Sequence, residues 1–351
     1  MKKICIVGAG LFGTTLALML AKDKKNHIDL YEKKKDILSE TSLKNQQRFH
    51  LGYHYPRSKK TVLEIKSSSV DFKKFYGTKF FGNTKNIYAI AKKNSKMNFY
   101  NYCKKMNSMG LKTNKKFFDI FSDQIENSII TNEKILNHFE IKKLISKKIK
   151  DAKNINLKLS KTILKKNLDN YNKVIICAYA NNNNILDKLG IKTLILKKKR
   201  YELVEKIVVE MPVRLKKMSV VILDGNFLNF DPYLGTKYHL LSAVKESKIE
   251  ILKKKFPNFE SPEKKYLKFK FVKNIKNSNF KRFIKLGEKF IPLLSKAKYI
   301  KSAYVVRCVD ISKYNQDRNT SIRLYGNKII SVFSGKWNNC VKVSKQISTL
   351  I

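Results

Sequence analysis

The residues best equipped for chemistry crowd into one short stretch, Gln46-Gln47-Arg48-Phe49-His50-Leu51-Gly52-Tyr53-His54-Tyr55-Pro56-Arg57. It holds two of the five histidines and two of the eight arginines, set among aromatic rings around a single glycine. Imidazole changes charge near neutral pH, guanidinium grips anions with a planar fork, and tyrosine offers an apolar face with a polar tip. A second group lies upstream, where Gly8-Ala9-Gly10-Leu11-Phe12-Gly13 spells GxGxxG between the short apolar run "KICIV" and the helix-like "LFGTTLALMLAKD".

In that second group each glycine has a distinct physical task. Gly8 permits the tight turn, Gly10 lets the backbone approach a pyrophosphate, and Gly13 lets the helix pack closely on the sheet. Ala9, Leu11 and Phe12 complete the turn, and the unpaired N–H groups of the first helical turn face an anion with a partial positive charge. The next strand, "HIDLYEKK", ends at Glu32, 19 residues after Gly13, close to the spacing of about 20 for a carboxylate that binds ribose hydroxyls. Lys33 to Lys35 follow, either holding the nucleotide or standing in solvent. Strand, glycines, helix, strand and acid occur in the order that dinucleotide binding requires, although the motif does not separate FAD from NAD.

The elements that position these groups must come from 351 residues, enough for two domains or one large one, with 43% apolar residues to fill a core. The formal charge of +48 is carried almost wholly by lysine, and arginine supplies only eight of 75 basic residues. Base readers favour arginine, so the charge fits an AT-rich coding bias rather than specific nucleic-acid binding, while still favouring an anionic partner. Cys5, Cys103, Cys177, Cys308 and Cys340 form no CxxC pair and are odd in number, so neither a metal site nor a disulfide framework is expected. A cytoplasmic location fits such cysteine usage. Met1-Lys2-Lys3 and the apolar run after it have a signal-peptide cast, but three glycines at fixed offsets favour strand, turn and helix. No segment approaches the roughly 18 to 20 apolar residues of a membrane span.

With these features in hand, the chain resembles the D-amino-acid-oxidase-like superfamily of FAD-dependent oxidoreductases, which includes glycine and sarcosine oxidases, dimethylglycine dehydrogenase and L-2-hydroxyglutarate oxidase. In that superfamily the glycine turn and acidic strand end are followed by a Ser/Thr-rich segment and an "xxHxGxxY" loop; here "SETSLKNQQRFHLGYHYP" supplies Ser39, Thr41, Ser42 and then His50 to Pro56. "NYNKVIICAYANNNNIL" is similar to a strand ending in Ala-Thr-Gly, replaced by Cys177-Ala178-Tyr179-Ala180. "VVILDGNFLNFDPYLGTKYHLLSAV" is similar to the substrate-domain sheet, and "RNTSIRLYGNKIISVFSGKWNNCVKVSKQI" to the last strand, turn and helix. The family's proline before the last strand is missing at Arg307-Cys308.

The resemblance implies FAD as cofactor and hydride transfer from a small amine, amino acid or 2-hydroxy acid to flavin N5. It places Gly52 against the flavin ring, where a side chain would block approach, with His50 and Arg48 donating to the ring. Ala178, Gly335, Lys336 and Trp337 would return to the cofactor from the later strands. Covalent attachment at His50, which some relatives use, is not the expected state. Tyr53, His54 and Tyr55 are expected to face the substrate or brace the loop, Arg57 to complete it, and Arg307, with Tyr304 and Arg323 behind it, to hold a substrate carboxylate. The partner is thus a small, anionic molecule, and the electron acceptor is left open. A flavin-dependent sugar mutase and a non-catalytic, basic nucleotide-binding protein are the alternative functions.

The expected fold class is α/β, a Rossmann-like FAD-binding domain with a mainly antiparallel β-sheet substrate domain. The first takes residues 1–80, 145–190 and 300–351; the second takes 81–144 and 191–299. "RYELVEKIVVEM" and "SVVILDGNFLNFDPY" read as strands of the second, "SKIEILKKKFPNF" and "KRFIKLGEKFIPLLSKA" as helices, and residues 140–170 as amphipathic strands and connections. His27, His138 and His239 have no motif around them and read as structural or solvated.

Overall fold

A computed structural model of the protein describes residues 1–311 and 320–351. The chain opens with strand β1 (Lys2–Val7), helix α1 (Leu11–Leu20) and strand β2 (Asn26–Glu32). Helix α2 (Lys59–Tyr76) leads to β3 (Lys85–Ala91), α3 (Phe99–Ser108), β4 (Ile125–Thr131) and α4 (His138–Asp151). Then come β5 (Ile155–Leu159), β6 (Lys173–Ile176), α5 (Asn182–Lys188), β7 (Lys199–Glu210), β8 (Met218–Leu223), β9 (Leu228–Pro232), β10 (His239–Ala243) and β11 (Lys248–Lys254). The chain closes with α6 (Phe280–Gly287), β12 (Lys298–Asp310), β13 (Ser321–Tyr325), β14 (Ile329–Phe333) and α7 (Cys340–Ser348).

These strands make two large sheets of opposite character. The first runs β13-β14-β6-β1-β2-β5, parallel except for β13. Its central strands are apolar on both faces, as a sheet covered on both sides requires, and β1 buries Ile4, Cys5, Ile6 and Val7 in succession. The second runs β11-β7-β10-β9-β8-β3-β4, extended by Asn114–Lys115, with β12 also paired along β7. It is antiparallel except where β8 lies parallel to β3. A small third sheet joins Arg48–Phe49, Phe81–Gly82 and Lys134–Leu136.

Period-two alternation in the second sheet sets up the functional surface. One row across the sheet, Ile207, Leu241, Phe230, Val220 and Ile87, is buried in the core with Phe283 of α6. The next row, Lys206, Ser242, Asn229, Val221 and Tyr88, falls on the opposite face.

Two expectations for secondary structure fail. Residues 138–151 are a helix, capped by the Asn137 side chain on the N–H groups of Phe139 and Glu140; Ile141, Ile145 and Ile149 recur every four residues on its buried side. The run of lysines between them masks the period. Conversely, "SKIEILKKK" is an edge strand whose pairing with Lys199–Val204 overrides its helix-like spacing.

Candidate active site

The glycine turn is built from backbone contacts. Gly8 has φ +105°, and a Cβ there would meet the Cys177 carbonyl oxygen at 2.9 Å. At Gly13 a Cβ would stand 1.9 Å from the Gly8 carbonyl oxygen, so only glycine lets α1 start against its own turn. Gly10 is different. It borders a cavity, and its nearest neighbour would be the Ser42 hydroxyl at 3.6 Å. Ser42 Oγ also accepts the Leu11 N–H at 3.3 Å, and α1 has no acidic residue in its first turn to offset its positive end. Glu32 closes the arrangement, accepting the N–H of Ala9 and of Lys34, each at 2.9 Å. Gly8, Gly10, Leu11, Phe12, Glu32 and Lys33 all border the cavity, whereas Ala9 and Gly13 hold the turn from inside.

The stretch after it divides into two faces. His50, His54 and Tyr55 border the same cavity, with ring centroids of His50 and His54 5.5 Å apart and of His54 and Tyr55 5.2 Å apart. Lys336 Nζ lies 4.1 Å from the centre of the Tyr55 ring. Desolvation, with His54, Arg48 and Lys336 adding to it, holds the His50 pKa well below the ordinary histidine value, so its imidazole is neutral at physiological pH. Asn338 Nδ2 donates to the His50 carbonyl at 3.3 Å, tying the loop to the last turn.

Two expected roles on this stretch are corrected, and Tyr53 takes the bracing place of its two alternatives. Arg48 is buried between carboxylates: NH2 donates to Asp231 Oδ1 at 2.7 Å and to Ser219 Oγ, NH1 to Glu133 Oε2 at 3.4 Å, and the guanidinium lies 5.1 Å from the Tyr88 ring centre. It positions the loop instead of donating to a ring. Gly52, at φ +124°, turns away from the cavity; a Cβ there would meet Val62 at 2.9 Å and Leu111 at 3.1 Å. Tyr53 is buried with Tyr88 and Tyr102, and its hydroxyl donates to the Lys112 carbonyl at 2.7 Å.

Glu133, which the sequence reading missed, organises the loop's far side. Its Oε1 accepts the Leu51 N–H at 2.7 Å, its Oε2 accepts the Tyr88 hydroxyl at 2.6 Å, and His50 Nδ1 stands 3.8 Å away. Burial raises its pKa against the pull of Arg48. Nothing in the sequence around Glu133 marks it.

Ala178, Gly335, Lys336 and Trp337, which follow strands β6 and β14 of the first sheet, border the cavity, and Trp337 also packs its ring against Phe49 and Phe72. Tyr179, in place of the family's threonine, has φ +53° and is locked to Cys308 by hydrogen bonds of 2.8 and 2.9 Å. From the second sheet, Arg307 reaches the cavity with NH1 2.8 Å from Glu202 Oε2, and Glu202 is shared with Arg200 at 2.8 Å. Tyr304, on β12, is buried and does not border the cavity, and Arg323 lies on β13 outside the cavity wall. Arg57 pairs with Asp224 at 3.0 Å. Arg318 and Asn319, which begin the stretch compared with the last strand, lie outside the described residues. Lys44, buried beside Glu40 and the Tyr304 carbonyl, and Lys206 were not foreseen and also border the cavity.

The cavity has a volume of about 2160 Å³ and runs without interruption from the glycine turn to the second sheet. A single small-molecule site occupies roughly 300–1,000 Å³, so this one has room for a dinucleotide and a second molecule.

Among solved structures the chain is similar over its whole length to glycine oxidase from Geobacillus kaustophilus, with TM-score 0.72 and 11% identity, covering 100% of this chain and 95% of that one. It is also similar to L-proline dehydrogenase from P. horikoshii (TM-score 0.71, 14% identity, 99% and 93% covered) and to L-alpha-glycerophosphate oxidase from Mycoplasma pneumoniae with FAD bound (0.66, 14%, 100% and 95%). The fold is therefore that of these structures, a mostly parallel sheet joined to a mainly antiparallel one. Among curated proteins, "FAD-dependent monooxygenase FPY4" of Fusarium mangiferae is 30% identical over 106 residues, 30% of this chain and 28% of that protein's length. No family model matches the chain. Among the described residues no helix is long and apolar enough to cross a membrane.

Proposed function

We propose that this chain is an FAD-dependent oxidoreductase that oxidises a carbon bearing an amine or hydroxyl in a small, acid-bearing molecule. One observation carries the reading: the glycine turn with Glu32 and the polar face of the second sheet open into one cavity that His50 also lines. The residues fit the cofactor. Gly10 leaves room for a phosphate to approach the backbone, Leu11 and Phe12 present the positive end of α1, and Glu32 stands where ribose hydroxyls would be held. FAD, when bound, supplies the two-electron acceptor. The chain's own groups bind and orient. Neutral His50 brings a polar edge without a fixed charge, Lys336 adds positive charge near the same loop, and His54 and Tyr55 wall the space beyond. Arg307, held by Glu202, faces the substrate side and suits a carboxylate.

The test is the visible spectrum of the purified protein, followed by anaerobic addition of amino acids, 2-hydroxy acids and their neutral amides. Flavin bands that bleach with a free acid and not with its amide are expected. Acid precipitation should leave the flavin in the supernatant, consistent with a cofactor held without a bond to His50. A protein that neither carries FAD nor takes it up on titration would overturn the reading.

A further inference from the structure

Resting on the oxidoreductase reading, the inference concerns a cation on strand β7 of the second sheet. We propose that Lys206 anchors the acid group of the substrate, holding a carboxylate or phosphate in the polar row that Ser242 and Asn229 complete. Lys206 projects from β7 into the cavity, on the face opposite the apolar core. Its Nζ donates to Ser242 Oγ at 2.6 Å, and among the described residues it makes no ion pair. An ammonium has three donors, and a hydroxyl partner satisfies one of them without neutralising the charge.

The acids nearby are committed to other cations. Glu202 is shared by Arg200 and Arg307 at 2.8 Å each, and Asp231 accepts from Arg48 at 2.7 Å and from Gln46 at 3.1 Å. Arg307, Lys206 and Asn229 thus border one cavity with fewer carboxylates than cations around them. A half-buried, incompletely neutralised ammonium costs free energy unless an anion joins it, and the substrate's acid group supplies that anion.

The electrostatics agree. The charged groups around Lys206 are Arg307 of β12, Asp231 of β9 and Glu202 of its own strand; desolvation comes first and Arg307 second in pulling its pKa down to about 8. Lys206 is therefore mostly charged at pH 7 and loses its charge as pH rises through about 8.

Anion binding can be followed by the shift in thermal midpoint of the full chain, with acetate and inorganic phosphate as probes, acetamide as the neutral control and ionic strength held with chloride. At pH 7, Lys206→Met should weaken acetate or phosphate about tenfold or more, the loss of one charge-assisted hydrogen bond, while Lys206→Arg stays within about threefold. Acetamide should not distinguish the three proteins. Acetate alone responding identifies a carboxylate substrate, phosphate alone a phosphorylated one. For the unmutated protein the same affinity should fall about tenfold between pH 7 and 9, as a group with a pKa of about 8 requires, which decides the matter should Lys206→Met fail to fold. Equal anion affinity in Lys206→Met, equal losses in the methionine and arginine variants, or a flat pH dependence would overturn the anchor. Flavin content, measured separately, reports on the oxidoreductase reading, so the two failures are distinguishable.

Discussion

The two ends of the cavity are made in different ways. At the glycine end the wall is backbone: Gly8, Gly10 and Gly13 lie within six residues, and Glu32 follows one helix later. At the second-sheet end the wall is side chains brought together across the sequence, with Arg48 bonded to partners 85, 171 and 183 residues away. A backbone wall depends on what is absent from a few positions. A side-chain wall depends on charge balance among groups that are harmless only together. The first should therefore fail by losing ligand, the second by losing the fold.

The largest effect expected is at the second end. Arg48→Met leaves Asp231 and Glu133 buried without their shared cation and should cost about 3–5 kcal/mol, read by urea denaturation. If the variant keeps its stability, the side-chain wall is not held by that network. Next comes Gly13→Ala, whose new methyl collides with the Gly8 carbonyl; overpacking of this kind costs about 1–3 kcal/mol, and flavin content should fall with it. Gly52→Ala, strained at a left-handed φ but facing Val62 and Leu111, should lower stability while the surviving protein keeps its flavin. Equal flavin loss in both glycine variants would erase the distinction between the two glycines.

A pH effect follows from His138, buried beside the cavity with its pKa lowered to about 4, by desolvation first and then by Lys142. The unfolded chain takes up a proton near pH 6.5 that the native state refuses. The stability His138 contributes is therefore complete above about 6.5 and is lost as pH falls toward 4, amounting to about 2 kcal/mol lost by pH 5. His138→Asn should flatten that part of the stability–pH curve; an unchanged slope would refute the assignment. The smallest effect is Tyr53→Phe, which removes one hydrogen bond to the Lys112 carbonyl and should cost about 1 kcal/mol without altering flavin content or substrate use. A loss of substrate use instead would return Tyr53 to the cavity side.

Legibility follows the same division. The fingerprint, Glu32 and the strands β7 to β9 could be read because each depends on neighbours along the chain or on alternation within one strand. His50, His54 and Tyr55 border the cavity, yet Gly52 and Tyr53, between them in sequence, face the other way. A turn reverses side-chain direction within one or two residues, and composition carries no record of that. Lys206 was invisible for a related reason: among 75 basic residues, nothing local separates a lysine that borders a cavity from a solvated one.

What the sequence determined by itself was the backbone of the dinucleotide turn, because a missing Cβ is a local property that no distant contact can supply. Tertiary structure alone decided which charges are neutralised and which face the cavity: Arg48 finds Asp231 and Glu133, while Lys206 finds a hydroxyl and, among the described residues, no carboxylate partner. Electrostatic pairing depends on distance in space, and sheet register brings together residues that the chain holds far apart.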